Sequence, residues 1–508
     1  MLMAENEEEA RKTSCQLPPS PDLRPSRRSI VFGTPYLVGV GLIGVNAARC
    51  AQSITDALRS SRFPSLAAAI ETWSKTGGTL IIDNDYNETL PITMSCQGNL
   101  SYHLSTDGVR SLVYNGPQYH WFFCIYSAGY NPFSIDGQLT IDGNNNCSMP
   151  LFVRFEAAEG SARREFNAEG LTAINARMKQ GVSRVDGSRT NAYGAAGMMF
   201  TGGFDSLTLR HVRVANVTRE ERAGRPGSQG CIGIGVVAKL GTTRSARQLT
   251  IEDFEVRHVD SDDLPGSPER ADMDGVLVFQ SAERAGTRPI IQRGLIREAA
   301  GRAIKVYAPG GGGVTRDIEI HRSVPGTTTG SNDVAHQHGD GTIENIKLYY
   351  SGNAHAYPTI PVGMSAGHLR DPDFPFQPGI VRNIQIIDTT GRPKFTLLSI
   401  VFNLEDRGLR RYALSDIDDS GSAETLFQPG ALGTYQGALI DINNVTVNLT
   451  RGLMATEDHD RRLEIRARSL VNRNARAVPL KTFYDGRPAP PEHGGMLVAD
   501  QTVKGIAH

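Results

Sequence analysis

Long apolar runs are scarce in this chain of 508 residues. The one that stands out, YLVGVGLIGVNAA over 36–48, carries three glycines. It is shorter than the roughly 20 residues a bilayer span needs. Tryptophan occurs only twice and aromatic residues make up 7% of the chain. That argues against a β-propeller, whose blades lean on a recurring aromatic. Hairpin signals are too irregular for a β-sandwich, and coiled-coil heptads are absent. No sign of charge dominates: 53 basic and 54 acidic residues leave a formal net charge of −1. Nothing therefore points to nucleic acid, and any charged binding surface must be local. The six cysteines, Cys15, Cys50, Cys96, Cys124, Cys147 and Cys231, include no C-x-x-C pair, which argues against zinc-ribbon and thioredoxin-type sites. The run Gly310–Gly313 is followed by neither GK[ST] nor a helical pattern. It reads as a flexible turn that lets a ligand approach Tyr307, not as a phosphate loop.

What the chain does have is glycine, 54 residues of it, and many short β-type runs. Length alone would allow about three domains, but a repeat architecture grows along one axis without splitting. From Gly197 onward two kinds of run alternate. One kind is GMMFTG, GIGVVAK, DGVLVFQ, GRAIKVYA, TIPVGMS, TLLSIVF and GALIDIN. The other is DSLTLRHVRVANV, RQLTIEDFEVRHV, PIIQRGLIREA, TRDIEIHRSV, IENIKLYYSG, VRNIQIIDTTG and YALSDIDDSG. One pair makes a turn of about 22–40 residues, within the range of stacked repeats. In the second kind Ile318 and Ile320, Ile346 and Leu348, and Ile384 and Ile386 alternate with polar residues. One face is then inside and the other wet. The expected fold is all-β: a right-handed parallel β-helix, that is, a solenoid.

The stretch from Ala271 to Ala308 holds three such runs with no room for a helix between them. Aligning DGVLVFQ with GRAIKVYA sets Asp274 against Arg302, Leu277 against Lys305 and Phe279 against Tyr307. Val276, Val278, Ile304 and Val306 then point inward, and Leu277, Phe279, Lys305 and Tyr307 point outward. Setting Gly233 against Gly275 brings Gly235 and Val237 into line one turn earlier. A Val237–Phe279–Tyr307 stripe thus runs beside Lys305. Asp272, Asp274 and Arg302 gather at the strand starts, and the preceding loop DSDDLPGSPER adds Asp260, Asp262 and Asp263. Neighbouring turns lie about 4.8 Å apart, so Asp274 and Arg302 are expected to touch. The plain alternatives are an ion pair pinning two turns and an ordinary solvated lysine.

Residues 1–25 are polar and proline-containing and read as disordered. Then come Arg27 and Arg28, Ile30-Val31-Phe32, the apolar stretch and small residues near Asn46–Ala51. This resembles a twin-arginine export signal, which implies a periplasmic or secreted protein with no stable membrane span once the signal is removed. The alternative is an anchor formed by residues 30–48. Removal would leave Cys96, Cys124, Cys147 and Cys231, to be paired in an oxidising compartment or buried as thiols. Leu66, Ile70 and Trp73 have helical spacing, Gly77-Gly78 stops the helix and TLII follows. A helix here would cover the open edge of the first turn. This helix with its "GGT", the IDGNNN turn at 141–146 and the run pattern resemble the pectate-lyase-like right-handed β-helix superfamily from Phe63 to Arg461. Expected boundaries are 1–50 for the leader, 51–78 for the capping helix and lead-in, 79–475 for the β-helix and 476–508 for a tail. RRLEIRARSLVNRNARA near the end reads as a last strand or a helical cap.

The resemblance implies an enzyme acting on a polysaccharide; it carries no family-defining catalytic motif, and the Asp-Asp-Cys and Gly-His-Gly motifs of polygalacturonases are missing. Two chemistries suit the patch. β-Elimination on a uronic acid needs a cation or Ca²⁺ on the carboxylate and a base for the C5 proton. Lys305 with Arg302 fits those roles, helped by Lys239. Glycoside hydrolysis needs two carboxylates, which Asp262, Asp263, Asp272 and Asp274 would supply. Phe279, Tyr307 and Gln280 would line the substrate. His336 and His338 lie on one side of an extended chain, which would suit a metal site or an acid–base pair, but the segment reads first as a polar loop over a coil edge. No third ligand follows at a metal spacing, so no metal site is assigned. A non-catalytic glycan-binding or envelope solenoid, an epimerase and a phage tailspike are the rival classes. The oligomeric state is not legible.

Overall fold

Apolar residues recur at every second position through runs too short for helices, and these runs pair side by side. The computed structural model describes residues 57–127, 131–155, 164–179, 194–221, 230–238, 248–265, 267, 273–280, 288–308, 312–326, 331–337, 341–366, 379–403, 410–432, 438–456 and 463–473, with short runs at 482–484, 487–488 and 496–499. The expected leader lies outside them. Among the described residues no helix is long and apolar enough to cross a membrane.

The strands form one sheet of 21 and one of 14. The chain alternates between the two. Gln248–Ser261 joins the larger sheet, Met273–Gln280 the smaller, Ile290–Ala299 the larger and Ile304–Tyr307 the smaller. Each strand pairs in parallel with its counterpart one circuit on, as Gln248–Ser261 does with Ile290–Ala299 and Met273–Gln280 with Ile304–Tyr307. The one antiparallel pair among them joins Thr482–Tyr484 to Arg487–Pro488. All seven runs of the second kind fall in the larger sheet. GALIDIN falls there too, within Ala438–Val447, and not in the smaller sheet. Smaller-sheet strands that escape the pattern include Ser331–Gln337, Ala423–Leu432 and Leu449–Thr456. The terminal RRLEIRARSLVNR holds strands Leu463–Ala467 and Leu470–Asn472, not a helix.

The larger sheet bends along a column of left-handed residues. Early on, its two halves are separate strands, and Gln248–Ser261 spans both. His211, Asp253, Arg293, Asp317, Asn345, Asn383, Asp416 and Asn444 all have φ between 49° and 57° and succeed one another in register. Asn and Asp tolerate this conformation because their short side chains bond locally. Here they also bond along the column: Asn345 Nδ2 to Asp317 Oδ1 at 2.8 Å, Asn383 Nδ2 to Asn345 Oδ1 at 2.7 Å and Asn444 Nδ2 to Asp416 Oδ1 at 2.7 Å. The IDGNNN turn uses the same device, with Asn144 and Asn145 at φ 48° and 57°.

The core lies between the sheets. Val276, Val278, Ile304 and Val306 are buried, as the alternation requires. Gly197, Gly233 and Gly275 form a column where the larger sheet comes close. A Cβ on Gly233 would stand 2.6 Å from Val256 Cγ1 and 2.4 Å from Gly275 O. The helix Leu66–Thr76 begins at Ser65, whose Oγ accepts from Ala68 N at 3.2 Å, and ends at Gly77 with φ 67°. It buries Leu66, Ala69, Ile70 and Trp73, and the Trp73 ring meets Tyr102 edge-on at 5.5 Å. Cys96, Cys124, Cys147 and Cys231 are buried, unpaired thiols. Burial pushes Cys96, Cys124 and Cys231 up to about 12.

Candidate functional site

The outer face of the smaller sheet carries the aromatic patch. Leu277 pairs with Lys305 and Phe279 with Tyr307, and Gly235 and Val237 precede Leu277 and Phe279. Phe279 and Tyr307 stack with ring centroids 4.3 Å apart and planes 19° from parallel. Leu277, Phe279, Lys305 and Tyr307 are all half-buried. A flat apolar ring beside an ammonium is a surface that suits a sugar bearing a carboxylate.

The acids behave differently from one another. Asp274 is 1% exposed and meets Arg302 Nη1 at 3.3 Å, so it ties two strand starts together. Asp263 is 5% exposed and paired with Arg219 at 2.5 Å. Both were candidates for site acids; Asp274 takes the ion pair given as its plain alternative, and Asp263 is an interior ion-pair partner too. The local reason is alternation: neighbouring Asp262 faces outward, half exposed, and meets Arg177 Nη2 at 2.5 Å. Asp272, Lys239 and His338 lie outside the described residues. Of Gln280 only the backbone is described, opposite Ala238.

His336 requires a correction. The strand Ser331–Gln337 takes in the first three residues of the segment read as a loop, and Val334 and His336 are its inward positions. His336 follows Val306 and precedes Met364 in one core column. Its ring is 1% exposed, Nε2 lies 2.8 Å from Thr315 Oγ1, and Nδ1 has no partner. Burial drives it down to about 3. It therefore cannot form an outward acid–base pair with His338.

Two features escaped the sequence. First, past Phe279 and Val237 the apolar patch continues into a largely buried cluster with Ile232, Met199, Phe152 and Trp121, distinct from the core. Trp121 and Phe152 stack at 5.8 Å. Their strands, YHWFFCIYS and CSMPLFVRF, are apolar on both faces; such runs hide which residues point outward. Second, a buried ionic network fills the corner between the sheets. Arg322 pairs with Asp333, and Tyr350 Oη donates to Asp333 Oδ2 at 2.5 Å. Lys394 Nζ meets Asp388 at 2.7 Å and Asp419 at 3.0 Å, and His355 Nε2 lies 2.9 Å from Asp388 Oδ2. Burial, reinforced by Asp333, pushes the Tyr350 phenol up.

Among the described residues no group of three or more His, Cys, Asp or Glu converges to hold a metal ion. No protein-family model, curated protein or solved structure matches the chain.

Proposed function

We propose that the chain is an exported right-handed parallel β-helix that cleaves a uronate-containing polysaccharide by β-elimination. Two parallel sheets visited in alternation support the coil, and crossovers between parallel strands are right-handed in about 98% of cases. The observation that carries the activity is Lys305, in register with Leu277 and flanked by the stacked Phe279–Tyr307 pair. A sugar ring lies against the aromatics and its carboxylate faces the cations. The Lys305 amine takes the C5 proton, the C4–C5 double bond forms and the C4–O bond breaks. Arg302 sits one position before Ala303 at the same strand start and is shared with Asp274.

Glycoside hydrolysis is less well supported. It needs one protonated and one ionised carboxylate open to substrate, and Asp263 and Asp274 are sequestered with arginines. A glycan-binding protein without activity would keep the aromatic pair and dispense with Lys305.

The test is to incubate the protein with a panel of acidic and neutral glycans. Unsaturated uronates are followed by ultraviolet absorbance, and new chain ends by reducing-sugar assay. Both signals rising is the expected result. Reducing ends alone indicate a hydrolase, and binding with neither signal indicates a binder. Lys305→Ala is expected to abolish both signals while leaving the circular dichroism unchanged; full activity in that variant removes the assignment. Export is tested separately, by following removal of residues 1–50 on translocation.

A further inference from the structure

Lys394 is the first residue of strand Lys394–Asn403, while Asp388 and Asp419 end strands Gly379–Asp388 and Arg410–Asp419. The three side chains meet in the corner between the sheets. Those of Lys394 and Asp419 are 0% exposed and that of Asp388 is 1% exposed. Sequestering an ammonium and two acids costs several kcal/mol per ion unless they are fully paired. Pairing here is uneven. Asp388 accepts from Thr390 N at 3.0 Å, Thr390 Oγ1 at 2.7 Å and Lys394 Nζ at 2.7 Å, with His355 Nε2 at 2.9 Å. Burial alone would raise Asp388, but His355 and Lys394 overcome it and hold the group as a carboxylate. Among the described residues Asp419 Oδ1 meets Gly421 N and Lys394 Nζ, each at 3.0 Å, and its buried Oδ2 has no partner. Burial pushes this carboxyl up, and Lys394 offsets that only in part. One amine therefore stands between a carboxylate and a second carboxyl that burial makes easier to protonate, an arrangement of donor, base and electrophile.

We propose that Lys394 and Asp419 condense to an isopeptide bond that staples neighbouring circuits of the chain. Asp388 takes a proton from Nζ along their hydrogen bond, and the freed lone pair adds to Cγ of Asp419. A second Nζ proton passes to the hydroxyl of the tetrahedral intermediate, which leaves as water, and the Nζ–Cγ amide forms. The ammonium and the acid hydroxyl supply four hydrogens. Two leave in the water, one stays on the amide nitrogen and one stays on Asp388. His355 stands at hydrogen-bond distance from Asp388 to share that last proton, and its Nδ1 is unpartnered. No oxidant, cofactor or second substrate enters. The bond removes the ammonium from the interior and replaces a charge pair with a neutral amide. It would also resist chain separation by denaturant, since the turn between the large and small sheets becomes covalently closed.

The test is peptide mapping of the full-length wild-type protein, denatured and digested with trypsin. The expected result is a branched species joining residues 383–407 to residues 412–451, one water lighter than the two linear chains together, with no cleavage after Lys394. Linear peptide 383–394, cleaved after Lys394 and recovered without any branched species, overturns the proposal. The wild-type digest decides the question alone and does not depend on any variant folding. Asp419→Ala is expected to restore cleavage after Lys394. Asp388→Asn, which removes the proton acceptor but keeps the shape, is expected to restore it as well; a branched species persisting in Asp419→Ala would overturn the assignment of the electrophile.

Discussion

Phe279 lies flat against Tyr307 on the neighbouring strand, their centroids 4.3 Å apart, with the paired backbone fixing both rings on the outer face. A stacked aromatic contact contributes about 0.5–1.5 kcal/mol beyond its buried area. Tyr307→Ala is therefore expected to weaken glycan binding by roughly three- to tenfold, and Tyr307→Phe to leave it nearly unchanged. Titration calorimetry with the glycan that the protein cleaves or retains reads both. Equal affinity in all three proteins would move the platform elsewhere.

Asp274 and Arg302 give a prediction of stability. Removing one partner of a buried pair leaves the other charge uncompensated, at a cost on the order of 3 kcal/mol. Asp274→Ala should lower the urea midpoint by a corresponding amount, and adding Arg302→Met should recover most of the loss. If Asp274→Ala were as stable as the wild type yet inactive, Asp274 would have a chemical role and the hydrolase reading would return.

The glycine column sets how close the sheets come. Gly233→Ala puts a methyl group 2.6 Å from Val256 Cγ1 and 2.4 Å from Gly275 O, and overpacking of this kind costs about 1–3 kcal/mol. Thermal unfolding of the variant should shift down. An unchanged midpoint would mean that the sheets have room to separate.

His336 makes the fold sensitive to acid. Burial holds it at about 3, below the ordinary 6.5. Above pH 6.5 it is neutral folded or unfolded and has no effect. As pH falls, the unfolded chain takes up a proton that the folded chain refuses, so stability is lost progressively from 6.5 down to about 3. By pH 4.5 the loss is on the order of 3 kcal/mol. His336→Met, which matches Met364 on the next strand, should flatten the slope of stability against pH over that range. A slope equal to that of the wild type would assign the acid sensitivity to other groups.

Much of this arrangement could be read from the sequence, for identifiable reasons. DGVLVFQ and GRAIKVYA align because small Gly275 and Ala303 precede β-branched residues at every second position, Val276 and Val278 against Ile304 and Val306, and the outward Leu277–Lys305 and Phe279–Tyr307 pairs follow from that register. The helix Leu66–Thr76 was legible from the Leu66–Ile70–Trp73 spacing and Gly77. His336 was misplaced because AHQHGDG resembles a loop, although the first three of its residues extend a strand. The Lys394–Asp388–Asp419 cluster was invisible because IDTTGRPK and DIDDSG have the composition of solvated turns; only the pairing of their strands in the two parallel sheets brings them together inside. The left-handed column was equally hidden, since His, Asp, Arg and Asn share one conformation there with no common side chain.

That column has a consequence for how such a chain can change over generations. Each circuit is keyed to the next at one bent residue, yet Arg293 and Asp317 are close in sequence whereas His211 and Asp253 are far apart. Most of the difference falls between the strands, and the rest in strand length, as in Cys231–Ala238 against Ile304–Tyr307. Insertions between strands leave the key untouched, and a whole circuit from one bent residue to the next can be duplicated or lost as a unit. A single-residue deletion inside a strand has no such freedom, because it turns every later side chain of that strand to the opposite face.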